Sequence, residues 1–337
     1  MNSANLPPPP MRNTPPSQLP WQQPLWQTIA QRLHDDTLPH ALLLSGAHGV
    51  GKNHLARLLA HALLCRQRGR DALPCGECRD CQLCAAQTHP DFLQVVPHEA
   101  GKVISVDQIR GVGQYMALKS HAGGYKVVLI SPAEQMNLAA ANSLLKTLEE
   151  PPSDALLILV SSRAATLTAT VRSRCQQLSV ARPSQQQALQ WLQQEIDGSH
   201  DLPLLLTLAD GAPLRALQMA RDGLPAHRAE MLQQLIQLAT GRSDPLAVAS
   251  KWLKFGHQDS LYWMRTWIED MIRLRSTSTP PRVINDDIRP QLLDLSAHLT
   301  LQQLHTRLDK AIETARLIER QCNAQLLLED LLIGWAK

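Results

Sequence analysis

Gly46-Ala-His-Gly-Val-Gly-Lys-Asn53 constrains this 337-residue chain more tightly than any other stretch. It has the G-x-x-x-x-G-K spacing of a phosphate-binding loop. It lies between a short apolar run, His40-Ala-Leu-Leu-Leu44, and a helical stretch from His54 to Leu64. Such a loop works only where a buried strand feeds a helix, because backbone N–H groups at the helix N-terminus must face phosphate oxygens. Lys52 would reach toward the outer phosphates. The next position normally carries Ser or Thr, whose hydroxyl binds Mg²⁺. Here it is Asn53, and an amide oxygen is a poorer fit for an ion that demands near-ideal geometry. Two readings stay open. Either Gly46, Gly49, Gly51, Lys52 and Asn53 still bind ATP or ADP, or the loop is a relic kept for packing.

A second strand and helix follow in Lys126 to Pro152. Lys126-Val-Val-Leu-Ile130 is apolar and β-branched, as a buried strand requires, and Ser131-Pro132 ends it. Asn137 can cap a helix whose apolar residues Leu138, Ala141, Leu145 and Leu148 share one face, and Pro151-Pro152 stops it. In phosphate-handling α/β cores this strand ends in Asp-Glu, one carboxylate for Mg²⁺ and one to orient the attacking water. Ser131 and Pro132 can do neither. Together with Asn53, they argue against hydrolysis by this chain.

Five of the seven cysteines form the run Cys65-x9-Cys75-x2-Cys78-x2-Cys81-x2-Cys84. Short turns can aim several thiolates at one point, so the spacing suits a closed, structural Zn²⁺ site. Five thiols compete for four places, and His89 is a further candidate. The remainder of the composition excludes more than it assigns. Residues 1–20 hold seven prolines, including Pro7 to Pro10, and read as a disordered tail. A net charge of +3 is too small to argue nucleic-acid binding by the chain as a whole. No apolar run reaches the ~20 residues of a membrane span. With no export signal, a cytoplasmic location is expected.

Asn142-Ser-Leu-Leu-Lys-Thr-Leu-Glu-Glu-Pro-Pro152 resembles the signature of AAA+ clamp-loader subunits of bacterial DNA polymerase III. The lost Asp-Glu resembles the member of that family that does not hydrolyse ATP. The resemblance implies an α/β P-loop AAA+ domain with a parallel sheet flanked by helices at residues 21–182, with a zinc module inserted at 65–84. A small helical lid at 183–224 and an all-α collar at 225–337 would follow. It selects Cys65, Cys75, Cys78 and Cys81 as zinc ligands, leaves Cys84 spare, and gives His89 a structural place before the next strand. Thr170-Val-Arg-Ser-Arg-Cys175 contains Ser173-Arg174-Cys175, a motif the family places at a subunit boundary. Arg174, beside Ser173, would then act in trans on a neighbour's ATP, with Arg172 as a nearby decoy. Ser161-Ser162 falls where relatives sense the γ-phosphate. The lid's sensing arginine belongs three residues after Gly211, where Leu214 stands, and Arg215 lies about 100° further round the helix.

The implied partners are gamma or tau ATPase subunits and a delta subunit in a hetero-pentamer, with the sliding clamp and primed DNA reached through the complex. Trp252, Trp263, Trp267 and Leu274 read as helix-packing residues of the C-terminal part. Two alternatives remain. One is an active gamma/tau-type ATPase, opposed by Asn53, Ser131 and Pro132. The other is a zinc-dependent DNA-binding protein with a vestigial P-loop. It would need a basic face around Arg66, Arg68, Arg70 and Arg79, where Asp71, Glu77 and Asp80 interleave.

Overall fold

The structure is a computed structural model; it describes residues 18–336 apart from 100, 101, 122, 199, 278, 281 and 321. Most of the proline-rich tail therefore lies outside the described residues. The described chain divides into two compact units, one of residues 18–195 with 211–215, the other of 196–210 with 216–336.

The first unit is built on a five-stranded parallel sheet. Helix α1 (Gln23–His34) precedes strand β1 (Ala41–Ser45), and the glycine loop leads into α2 (Lys52–Leu64). Then come α3 (Arg79–Ala85), β2 (Phe92–Val95), α4 (Val106–Ala117), β3 (Lys126–Ile130), α5 (Leu138–Glu149) and β4 (Ala155–Ser161). The short α6 (Ala169–Ser173), β5 (Gln176–Ser179) and α7 (Gln185–Glu195) complete it. The strand order is β2-β3-β4-β1-β5, and every ladder is parallel. β3 and β4 are buried along their whole length, as strands covered on both faces must be, which is why they read as unbroken apolar runs. β1, which leads into the glycine loop, and β3, which ends at Ser131, lie on either side of β4.

Two apolar layers cover the sheet. Leu42, Leu44, Val127, Leu129, Ile158 and the α2 leucines fill one side. Leu43, Val128, Ile130, Leu157, Val112 and Leu144 fill the other. The alternation between the layers is the period of two along each strand. Local signals place the helices. Ser105 and Gln108 form a reciprocal capping box at α4, and the Asn137 side chain accepts from the Ala140 N–H at α5. One expectation needs correcting. The buried face of α5 is Ala140, Ala141, Leu144 and Leu148, while Leu138 is 67% exposed. Two apolar stripes overlap on this helix, and the one displaced by a single residue, about 100° round the helix, carries the packing.

The second unit is helical among its described residues: α8 (Leu202–Leu208), the end of α9 (Pro213–Arg221), α10 (Leu224–Ala239), α11 (Pro245–Phe255), α12 (His257–Ser276), α13 (Arg289–Ser296), α14 (Leu301–Glu319) and α15 (Ala324–Ile333). α12 packs on α13 and α14, and α11 on α15. Trp252, Trp263 and Trp267 are core residues, each exposed by 1% or less. Asp270 is fully buried and its Oδ2 accepts from the N–H groups of Ile284 and Asn285 and from Asn285 Nδ2. That carboxylate ties the segment after α12 back onto the helix. The stretch expected as a separate lid, 183–224, is divided between the two units.

Candidate functional site

The glycine loop keeps its shape. Gly46, Gly49 and Gly51 all have positive φ, and Gly51 stands as the N-cap of α2 at φ +92°. A Cβ at Gly51 would also meet Leu19 Cδ1 and Gln22 Nε2, both at 2.6 Å, so only glycine fits there. Gln22 Nε2 donates to the carbonyls of Val50 and Gly51, and Trp21 Nε1 also donates to Val50 O. These two residues hold the back of the loop. From the other side, the Leu214 N–H donates to Gly49 O at 3.1 Å, and Arg215 packs its backbone against Gly49.

Lys52 is buried, and its ammonium donates to Gly46 O (2.9 Å), Ala47 O (2.7 Å) and Ser162 Oγ (3.0 Å). All three of its donors are thereby used within the loop and at the end of β4. Burial lowers its pKa to about 8, against the opposing pull of the Glu134 carboxylate. Glu134 receives the Ser162 N–H on Oε1, and its Oε2 is buried without a hydrogen-bond partner. His48 is held below the usual imidazole range by burial first, then by the charges of Arg215 and Lys52. Asn53 and Ser131, at the two positions that handle Mg²⁺ in P-loop ATPases, meet directly: Ser131 Oγ donates to Asn53 Oδ1 at 2.6 Å.

The sulfurs of Cys65, Cys75, Cys78 and Cys81 all lie within 4.8 Å of one another, a group that could hold a metal ion. Cys65 at the end of α2 is 3.6 Å from Cys75 and 3.9 Å from Cys78, and Cys75 is 3.9 Å from Cys81. A tetrahedral site with Zn–S bonds of about 2.3 Å separates its sulfurs by about 3.8 Å, so the donor set fits zinc. Backbone N–H groups point at the sulfurs, from Gln67 and Cys75 to Cys65 Sγ and from Cys78 to Cys75 Sγ. Such donors favour thiolate, and those of Cys78 and Glu77 bring Cys75 down to about 7. Cys84 stands outside the group, buried in the core layer over α2, where burial pushes its thiol up to about 12. His89 is buried as well. It accepts the Asp91 N–H on Nδ1 and turns Nε2 toward Asp80 at 3.4 Å, which places it beside the module and outside the ligand group. Asp80 also takes Arg66 at 2.8 Å.

Arg174 caps α6, where the chain turns into β5. Its Nη2 lies 2.7 Å from Glu149 Oε1, and Nη1 donates to Thr170 O at 3.1 Å. Ser173 is exposed and donates back to Thr170 O. Arg172 differs: its Nε is buried without a hydrogen-bond partner.

A family model described as "DNA polymerase III, delta subunit" matches residues 21–184, and one for the C-terminal part of that subunit matches 223–337. DNA polymerase III subunit delta' of Pseudomonas aeruginosa is 35% identical over 94% of this chain and 97% of its own length. The chain belongs to the delta prime family of DNA polymerase III subunits. The Escherichia coli (strain K12) member is 32% identical over 93% of this chain and 94% of its own. DNA polymerase III subunit tau of Bacillus subtilis is 27% identical over 91% of this chain but only 55% of itself.

Sequence reasoning missed Trp21, Gln22, His48 and Glu134. Trp21 and Gln22 follow the proline-rich tail directly, and neither has a local motif. Glu134 lies three residues beyond Ser131 and could have been noted as a carboxylate displaced from the usual place.

Proposed function

We propose that this chain is the non-hydrolysing subunit of a clamp loader, one that lends an arginine to a neighbour's ATP site and has no turnover of its own. The observation that carries this is the hydrogen bond from Ser131 to Asn53. Two positions that would hold a metal between them in an ATPase here satisfy each other, and Pro132 offers no carboxylate to orient water. Lys52 has an internal partner for each donor, so the loop holds its shape through its own contacts. What the chain exports is Arg174. A guanidinium stays charged and presents a rigid fork, and placed against charge building on a γ-phosphate it is worth about 10³- to 10⁵-fold in rate.

Cys65, Cys75, Cys78 and Cys81 would hold Zn²⁺, which supplies a structural crosslink and no reaction chemistry because all four positions are taken by protein. In this reading residues 183–224 act as the lid and 225–337 as the collar. The partners are gamma or tau ATPase subunits and a delta subunit in a cytoplasmic pentamer that opens the sliding clamp and places it on primed DNA. The pairing of Arg66 with Asp80 removes one charge from the basic face a zinc-dependent DNA binder would need. The test is DNA- and clamp-stimulated ATP turnover of the reconstituted complex with wild-type chain or Arg174→Ala, after both are shown to assemble equally. A fall of at least ten-fold is expected. Unchanged turnover would remove Arg174 from catalysis.

A further inference from the structure

Glu149 is the last residue of α5, a place where a carboxylate has no local reason to stand. The exposed carbonyls of a helix C-terminus carry partial negative charge, so an acid in the last turn is disfavoured there. Its hydrogen-bond partner lies in another segment. Glu149 Oε1 holds Arg174 Nη2 at 2.7 Å, while the Thr170 carbonyl holds Nη1 of the same guanidinium at 3.1 Å. One acceptor on each terminal nitrogen fixes the plane of the fork. The arginine side chain nevertheless stays 37% exposed, and each terminal nitrogen keeps a second N–H.

We infer that Glu149 is a positioning residue for Arg174: with the Thr170 carbonyl it holds the guanidinium in one orientation on the surface, so that the remaining donors face a phosphate carried by a neighbouring subunit. This rests on the proposed role of Arg174 in trans. The physical gain is in order already present before the reaction. A free arginine samples many rotamers, and each must be given up when it meets the transition state; an arginine fixed beforehand gives up few. Glu149 is itself 51% exposed, so the pair has the strength of a surface ion pair, and its loss should change turnover about two- to five-fold. The effect is smaller than losing the arginine. It falls on kcat, because a group that meets only the transition state does not alter how ATP is bound at rest.

The experiment compares wild type, Glu149→Ala, Glu149→Gln, Arg174→Ala and the Glu149→Ala/Arg174→Ala pair in the reconstituted complex, reading kcat and KM for ATP. Glu149→Ala should lower kcat about two- to five-fold with KM unchanged. Glu149→Gln, which keeps an acceptor oxygen, should fall between it and wild type. The pair should equal Arg174→Ala alone, since Glu149 has nothing left to position. Thermal midpoints of the isolated variants should match wild type, as expected for an acid not needed by its own helix. Glu149→Ala at or above wild-type turnover while Arg174→Ala falls would overturn the inference and leave the role of Arg174 standing. A further loss from Glu149→Ala in the Arg174→Ala background would overturn it too, by showing that the acid acts elsewhere. Arg174→Ala without effect would remove both readings.

Discussion

On the proposed zinc reading, chelating the ion at Cys65, Cys75, Cys78 and Cys81 should open residues 66–85 while the sheet stays folded. The sulfur separations of 3.6, 3.9 and 3.9 Å are already those of a tetrahedral site, so the ion adds a crosslink without rearranging the loop. Without it, little else holds the segment. Ala72 and Cys84 are buried, each worth about 1 kcal/mol as small apolar groups. Trp26 Nε1 donates to Asp71 O, His34 Nε2 meets Arg70 O at 3.0 Å and His89 Nε2 faces Asp80 at 3.4 Å, contacts worth about 1 kcal/mol apiece. A total of about 5 kcal/mol is in the range where a segment opens by itself, whereas zinc contributes about 10–16 kcal/mol in peptides folded around it. Hydrogen exchange read by mass spectrometry, alongside colorimetric zinc release, measures this directly. One zinc per chain should be released, protection should vanish across 66–85, and β1, β3 and β4 should keep theirs. Cys65→Ser should lose the metal and Cys84→Ser should retain it. Unchanged protection after chelation, or the opposite ranking of these two variants, would refute the reasoning.

Further outcomes follow from other sites. Asp270→Ala should cost the helical unit about 3–5 kcal/mol in urea unfolding, because the donors of Ile284 and Asn285 lose their acceptor in the interior; a loss below about 1 kcal/mol would contradict the network's importance. Burial raises the Cys175 thiol to about 11, so its reactive thiolate is scarce at pH 8 and grows only toward pH 11. Iodoacetamide at pH 8 should therefore label the exposed Cys322 and leave Cys175 unmodified until the chain unfolds. Rapid labelling of folded Cys175 at pH 8 would show that the turn after Arg174 is open.

The parts of this molecule that could be read from residue order are those set by local rules. The strand, loop and helix around Gly46 to Asn53 follow from a short apolar run, glycines at backbone positions that only they tolerate, and a helical period. Asn137 announced its helix because a cap contacts the backbone three residues away. The contacts that complete the candidate site are long in sequence. Lys52 reaches Ser162 across 110 residues and Ser131 reaches Asn53 across 78, and no periodicity encodes such a pair. Gln22 sits 28 residues before the carbonyl of Val50 that it holds. The covered face of α5 is not legible for a different reason: Ala140 and Leu144 are apolar, as Leu138 and Leu145 are, and only the opposing layer decides which stripe is covered. Cys65 and Cys84 were equally plausible ligands by spacing. The fold separates them by putting Cys84 into the layer over α2.

The hydrogen bond between Asn53 and Ser131 also bears on descent. A lineage that once held a metal between these positions cannot regain turnover by one substitution. A hydroxyl at 53, a carboxylate at 131 and a second carboxylate at 132 are all required, and any one alone disturbs a satisfied pair without assembling a working site. Each intermediate would be invisible to selection for ATP cleavage and mildly harmful to packing. On the proposed function, such a loss would behave as a ratchet: with the two side chains bonded to each other, a division of labour between a subunit that cleaves ATP and one that assists is hard to reverse.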